Sequence, residues 1–207
     1  MGQPLRRCLA LAAAVALAAC RPPTPPDEPP AAPVTPEDQA AQEQRYEELA
    51  ARLAPEGAEA LAGLSSAPDP GHGAVFYQGP VPDTGSTAYL RLVQLGSGGG
   101  TLRLVVRYQG DDWIEADQGT IAVDGRTVGN FVPQNIRADR TDDGVVQLFD
   151  ADADLLRPAL TALLEADAAE IVLNGPRGRT VIRLAAPQLA GMRQVFAAYL
   201  HLGGNAR

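Results

Sequence analysis

The chain has 207 residues, 45% of them hydrophobic, so it is long enough for one ordinary domain with further segments attached. It carries 25 acidic and 17 basic residues, and the resulting net charge of −8 argues against binding of nucleic acid or adsorption to anionic lipid. All basic residues are arginine, which excludes a lysine Schiff base, a phosphate-loop lysine and a Ser-Lys dyad. The two cysteines, Cys8 and Cys20, both precede the predicted body. Disulfides, cysteine-ligated zinc and a cysteine nucleophile are therefore excluded from that body, and no cofactor is predicted.

The N-terminus has the order of a secretory signal, with two arginines before an apolar run over 9–19, so 1–19 is predicted to be a signal peptide. This run is shorter than the about 20 residues that a membrane-spanning helix needs. Its end, Leu-Ala-Ala-Cys at 17–20, resembles the lipobox of bacterial lipoproteins. The resemblance implies cleavage before Cys20, fatty acylation of that cysteine and a membrane anchor, and Arg21 implies the periplasmic side of the Gram-negative outer membrane rather than the inner membrane. Two alternatives are an ordinary cleaved signal with a chance cysteine, and an uncleaved buried helix.

The segment 20–36 is predicted to be a stiff spacer after the lipidated cysteine. Eight prolines fall within 21–36, a density that favours extended polyproline II structure and cannot pack into a core. The sixteen residues would reach roughly 50 Å at the rise of that helix. A proline-rich ligand for a recognition domain is the alternative.

Residues 37–66 are predicted to form a helical neck. Thr35 is the expected N-cap, Pro36 lies in the first turn, and the helix should run to about Leu53, where Pro55 and Gly57 would stop it. An apolar stripe follows one face of this helix: Tyr46, Leu49, Ala50 and Leu53. The stripe suits docking onto the body, an oligomer contact or a marginal neck, and docking is the default interpretation.

The body, 67–207, shows a period of two that is typical of strands, after an expected loop over 65–73. Glycine-containing turns separate most of the segments and indicate hairpins. The eight predicted strands are 74–78, 87–95, 101–109, 120–123, 126–128, 145–149, 169–173 and 179–184.

Two helices complete the predicted body. One follows Asp152 or Asp154, and the other runs from Pro187 to about Leu202 with a broad apolar face that should cover a sheet. The predicted fold class is α+β: a curved antiparallel sheet or sandwich with a C-terminal helix packed on it. Three segments of this body resemble a domain of uncharacterised bacterial lipoproteins: Tyr-Gln-Gly-Asp-Asp-Trp at 108–113, Val-Asp-Gly at 123–125 and Arg-Thr-Val-Ile-Arg-Leu at 179–184. The resemblance implies no activity.

Few residue patterns in the body point to catalysis or metal binding. Asp150, Asp152 and Asp154 have the first spacing of a calcium loop, but the glycine and glutamate that an EF-hand needs are missing, so no metal site is predicted. No serine lies in a Gly-x-Ser-x-Gly motif. A carboxylate pair at Asp111 or Asp112 stays open, although Gly-Asp-Asp is more simply a turn and the following Trp113 more simply core.

The strongest candidate for binding is a group of arginines on the hairpin 87–109. If paired residue numbers sum to 196, Leu90, Leu92, Leu104 and Val106 face the core, and the opposite face carries four residues that we call the arginine stripe: Tyr89, Arg91, Arg103 and Arg107. In that register Tyr89 lies opposite Arg107, and Arg91 opposite Val105. Arginine suits carboxylates and phosphates, so the stripe is a candidate site for an anionic envelope ligand or for another envelope protein. Solvated residues paired with the protein's own acids are the plainer alternative.

Together these patterns predict a lipid-anchored periplasmic protein with a non-enzymatic binding or envelope-assembly body. The alternative is a periplasmic hydrolase with a carboxylate-based site.

Overall fold

The computed structural model describes residues 35–96 and 98–204. The predicted signal peptide, Cys20 and nearly all of the spacer therefore lie outside the described residues. The four α-helices are α1 (Pro36–Leu53), α2 (Gly57–Ala62), α3 (Arg157–Glu165) and α4 (Ala186–His201). The ten strands are β1 (Ser65–Asp69), β2 (Ala74–Gln78), β3 (Thr87–Leu95), β4 (Gly100–Gly110), β5 (Gln118–Val123), β6 (Arg126–Phe131), β7 (Gln134–Thr141), β8 (Gly144–Asp152), β9 (Ala169–Gly175) and β10 (Gly178–Leu184).

Helix α1 begins where the sequence predicts. The Thr35 side chain accepts a hydrogen bond from the Asp38 backbone N–H, and the Asp38 carboxylate accepts one from the Thr35 backbone N–H, which together form a capping box. These bonds to Thr35 hold the pKa of Asp38 below its usual value. The helix ends at Leu53, as predicted, but the chain stays helical: a 3-10 turn at Ala54–Glu56 leads directly into α2, which begins at Gly57. Pro55 fits that turn at its start, where a backbone N–H is not needed.

The face of α1 predicted to dock is buried against the body. Tyr46, Leu49, Ala50 and Leu53 are buried, and the Tyr46 ring meets the Phe196 ring of α4 edge-on at 5.8 Å. Burial raises the pKa of Tyr46 to about 12, because it disfavours the charged phenolate. This helix therefore belongs to the same hydrophobic core as the strands, in agreement with the docking interpretation.

The strands form two antiparallel sheets. Six strands pair in the order β1-β2-β3-β4-β8-β7, and four in the order β10-β9-β5-β6. All eight predicted strands are present. The expected loop over 65–73 is wrong, since β1 occupies its first half, and β7 was not predicted. Both are exposed edge strands whose sequences lack alternation, so their pairing depends on the backbones of β2 and β8 rather than on an apolar face.

The register of the β3–β4 hairpin differs from the prediction by two residues. Paired numbers sum to 194, so Arg91 lies opposite Arg103, and Tyr89 opposite Val105. A shift of two preserves the faces, because side chains alternate with a period of two. The predicted core residues are accordingly buried: Leu90, Leu92, Leu104 and Val106. The arginine stripe therefore lies on the opposite, outer face of the six-stranded sheet.

One hydrophobic core joins the sheets and the helices. Leu189, Met192, Val195, Phe196 and Tyr199 of α4 are buried in it, together with the inner faces of β3, β4 and β9. Helix α3 packs against β5 and β6, where Gly129 lets the backbone approach closely: a Cβ at that position would lie 2.5 Å from the Ala159 Cβ. The fold is α+β, a curled antiparallel sheet with an N-terminal and a C-terminal helix, as the sequence predicts.

Candidate functional site

The arginine stripe is not a continuous set of free cations. Arg103 forms an ion pair with Asp150 across β4 and β8: Nε donates to Asp150 Oδ2 at 3.0 Å, and Nη2 lies 3.0 Å from Asp150 Oδ1, which accepts no hydrogen bond within the described chain. A second carboxylate, that of Asp152, lies 3.7 Å from Arg103 Nη1. Two acids thus surround one arginine, and the local charge at Arg103 is not positive.

The other members of the stripe have different partners. Arg107 donates to the backbone carbonyls of Gly85 and Asp83, at 2.9 and 3.2 Å, and so ties the segment before β3 to the sheet. Arg91 donates to the Tyr89 hydroxyl at 2.8 Å. The structure therefore brings the four residues to one face, but of the three arginines only Arg91 lacks both a carboxylate and a carbonyl partner within the described chain.

A large cavity lies where the chain crosses from one sheet to the other. It is an open cleft of about 890 Å³, and we call it the intersheet cleft. Its apolar wall comes from β6, from β8 and from the turn before α3: Phe131, Val132, Ala151, Leu155 and Leu156. Its polar rim comes mainly from β4, β5, β7 and β8: Arg103, Gln118, Thr120, Asn130, Gln134 and Asp152.

The mouth of the intersheet cleft exposes large apolar side chains. Leu155 is 83% exposed and Val132 is 74% exposed. The described chain exposes only two other large apolar side chains, Leu95 and Ile136, and Ile136 lies at a bulge in β7 two residues beyond Gln134. Exposed apolar surface is therefore concentrated beside this cleft, which is a feature of ligand and partner sites.

A glycine shapes the deeper wall of the cleft. Gly119 of β5 lies opposite Phe131 of β6, and a Cβ at Gly119 would lie about 2.2 Å from the Phe131 ring. The absent side chain leaves room for the Phe131 ring against β5, where the ring is buried and borders the cleft.

The three aspartates at the end of β8 are used within the fold. Asp150 and Asp152 pair with Arg103, and Asp152 also accepts the Asp154 backbone N–H at 3.0 Å as the cap of the turn before α3. Asp154 accepts the Tyr199 hydroxyl at 2.7 Å. Burial, followed by this contact with Asp154, raises the pKa of Tyr199. Within the described ranges, no three His, Cys, Asp or Glu side chains group closely enough to hold a metal ion.

The candidate catalytic carboxylates lie outside the cleft. Asp111 and Asp112 are exposed in the turn after β4, where the Asp112 carboxylate accepts the Trp113 backbone N–H at 2.8 Å. Trp113 is half-buried under Arg140, whose Cζ lies 5.7 Å from the ring centroid, so its predicted core position is wrong. Among the residues that line the cleft, Asp152 is the one carboxylate.

Comparison of the chain with protein families, with curated proteins and with solved structures finds no match. The resemblances to the lipobox and to the uncharacterised lipoprotein domain therefore remain predictions from the sequence. No helix in the described part is long and apolar enough to cross a membrane.

The intersheet cleft is the feature that the sequence patterns do not predict. Its apolar wall draws on residues between predicted elements, and Val132 and Leu155 belong to no amphipathic face. The sequence offers only two hints of the cleft: Val132 stands next to Pro133, and Leu155 follows the aspartates before α3.

Proposed function

We propose that this protein is a lipid-anchored periplasmic binding protein whose body takes up a small, largely apolar ligand in the intersheet cleft. The proposal for the anchor and for the outer membrane rests on the sequence alone, on the lipobox-like segment 17–20 and on Arg21. The proposal for binding rests on the cleft, and the observation that carries it is the exposure of Leu155 and Val132 at its mouth.

The chemistry of the cleft favours an uncharged ligand with a few polar groups. Its one arginine, Arg103, is neutralised by Asp150 and Asp152, so it offers little net attraction to an anion. The rim supplies the side-chain amides of Gln118 and Gln134, which can orient a ligand, whereas the Thr120 hydroxyl already donates to Asn130 Oδ1 at 3.0 Å. Apolar walls with a few placed polar groups are the usual pattern of small-molecule sites.

The size of the cleft also suits a small molecule. Its volume of about 890 Å³ lies in the range of typical ligand pockets. Covering the exposed parts of Leu155 and Val132 would contribute about 1 kcal/mol each to binding. Removing both contacts should therefore lower affinity by about 30-fold.

Binding of the uncharged, environment-sensitive dye N-phenylnaphthylamine tests the proposal. The full-length chain should show saturable fluorescence enhancement, and Val132→Gln combined with Leu155→Gln should weaken it by about 30-fold. Both side chains are exposed, so the double substitution should leave the fold intact, which circular dichroism checks.

A matched control is Leu95→Gln, which removes an exposed leucine at the end of β3, away from the residues that line the cleft. This variant should bind the dye like the wild type. Equal binding by the wild type and the cleft double variant, or an equal loss in the Leu95 variant, would show that the dye binds apolar surface in general and would contradict the proposal.

A further inference from the structure

Arg91 differs from the other half-buried arginines of the described chain. There are five of these: Arg103 and Arg157 pair with carboxylates, while Arg107 and Arg193 each donate to two backbone carbonyls. Arg91 has the Tyr89 hydroxyl as its one acceptor. A half-buried guanidinium with a single neutral acceptor leaves most of its N–H donors unused.

The position of Arg91 is fixed by aromatic rings. Its Cζ lies 5.5 Å from the centroid of Phe76 on β2 and 5.5 Å from that of Tyr89 on its own strand. Its Nε is buried without a hydrogen-bond partner, although a buried polar group is normally satisfied. The side chain is thus held in place while its charge is not neutralised by any described residue.

A small pocket lies beside this guanidinium on the outer face of the six-stranded sheet. It has a volume of about 230 Å³ and is lined by Ser65, Ser66, Ala67, Phe76, Gln78 and Arg91. That volume is room for roughly seven water molecules, enough for one small charged group. The pairings Ser65↔Gln78 and Gln78↔Arg91 place the serine, the amide and the arginine side by side across three strands.

The polar groups around the pocket are suited to an anion. The Ser65 hydroxyl donates to the Gln78 backbone carbonyl at 3.0 Å, while the Gln78 side-chain amide, on the same face of the sheet as Arg91, has no hydrogen-bond partner within the described chain. None of the pocket-lining residues is acidic. A fixed guanidinium with neighbouring neutral donors and no internal acid is the arrangement that binds oxyanions.

We propose that this pocket binds the oxyanion of a carboxylate or phosphate group, with Arg91 as its cation. The site is separate from the intersheet cleft and does not depend on the function proposed for that cleft. Of the three arginines in the predicted stripe, only Arg91 then serves as a binding residue, because Arg103 and Arg107 already have partners within the fold.

Titration of the full-length chain with inorganic phosphate and, separately, with acetate tests this site, with the arginine side-chain N–H resonances as the readout. At least one of the two anions should shift the Arg91 resonance saturably, with a dissociation constant in the millimolar range. A response to phosphate alone would assign the natural ligand to phosphate-bearing molecules, and a response to acetate alone would assign it to carboxylates.

Three variants separate a built site from general charge attraction. Arg91→Gln should abolish saturable binding, whereas Arg126→Gln, which removes an exposed arginine from the β5–β6 turn, should leave it unchanged. Ala67→Asp places a carboxylate on the exposed edge strand beside the pocket and should also abolish binding, without removing any contact of Arg91. Failure of both anions to saturate, or equal losses in the Arg91 and Arg126 variants, would overturn the proposal.

Discussion

Removal of Arg103 should destabilise the fold, because this arginine compensates a carboxylate that is almost buried. The Asp150 side chain is 15% exposed and that of Arg103 is 23% exposed, so the pair lies between a surface ion pair and a buried one. Surface pairs contribute about 0–1 kcal/mol, and breaking a fully buried pair costs about 3–5 kcal/mol. Arg103→Gln should therefore cost about 2 kcal/mol, because it also leaves Asp150 and Asp152 next to each other without a cation.

Removal of the acid, Asp150, should lower the free energy of unfolding by less than removal of Arg103. Asp150→Asn leaves Arg103 with a second acid, since Asp152 Oδ2 lies 3.7 Å from its Nη1, and the expected loss is about 1 kcal/mol. The double variant removes both charges of the Arg103–Asp150 pair and leaves only the partly exposed Asp152 without a cation, so its loss should be smaller than the sum of the single losses by about 1–2 kcal/mol. For a body of this size, each kcal/mol lowers the melting temperature by about 2–4 °C.

Urea unfolding of the four chains of this cycle, followed by circular dichroism, measures these differences. We expect the wild type to be the most stable, followed by Asp150→Asn and then by Arg103→Gln. If Arg103→Gln is as stable as the wild type, or if the two losses simply add, then Arg103 is a solvated cation free for a ligand, and the assignment of a structural role is wrong.

Two further predictions concern the body and the anchor. Gln147 is 1% exposed, and its Oε1 accepts the backbone N–H groups of Ile114 and Glu115 at 2.8 and 3.3 Å, so Gln147→Leu should lower the free energy of unfolding by about 2–3 kcal/mol. Thermal melting checks this, and a Leu variant as stable as the wild type would mean that those N–H groups do not need the amide. Cys20→Ser should abolish labelling by an alkyne fatty acid and release the chain from the membrane fraction, because the thiol is the proposed site of acylation. Equal labelling of the variant and the wild type would refute the lipoprotein interpretation.

The parts of the fold that the sequence predicts are those encoded locally. Asp124-Gly125 has the positive φ values, +51° and +73°, that a two-residue hairpin turn requires, and the strands on both sides of it were predicted. The apolar stripes of α1 and α4 likewise identify buried faces, because a period near 3.6 residues is visible without any tertiary information.

The remaining features depend on partners distant in sequence. Strand β7 is almost entirely exposed, so its existence follows from pairing with β8 and leaves no apolar pattern to read. The predicted hairpin register assumes that the whole glycine run is loop, whereas Gly100 belongs to β4 and pairs with Gln94, so the closing pair lies one residue earlier on each strand. A register shift of two residues keeps every side chain on its predicted face, so the arginine stripe lies on the predicted side of the sheet.

For the candidate sites, too, the sequence shows which residue types are present but not which distant residues contact them. Residue types identify Arg91 and Arg103 as able to bind anions, but only the structure separates them. Asp150 reaches Arg103 from a strand that begins more than thirty residues after the end of β4, and no spacing rule relates the two.

The contact between Gly119 and Phe131 couples two positions of the chain in evolution. A side chain of any size at 119 would collide with the Phe131 ring, and a smaller residue at 131 would open a void above β5. A larger residue at 119 therefore requires the Phe131 ring to shift, and a smaller residue at 131 makes room for it. Among sequences related to this chain, glycine at 119 should occur with an aromatic residue at 131, and larger residues at 119 should occur with smaller ones at 131.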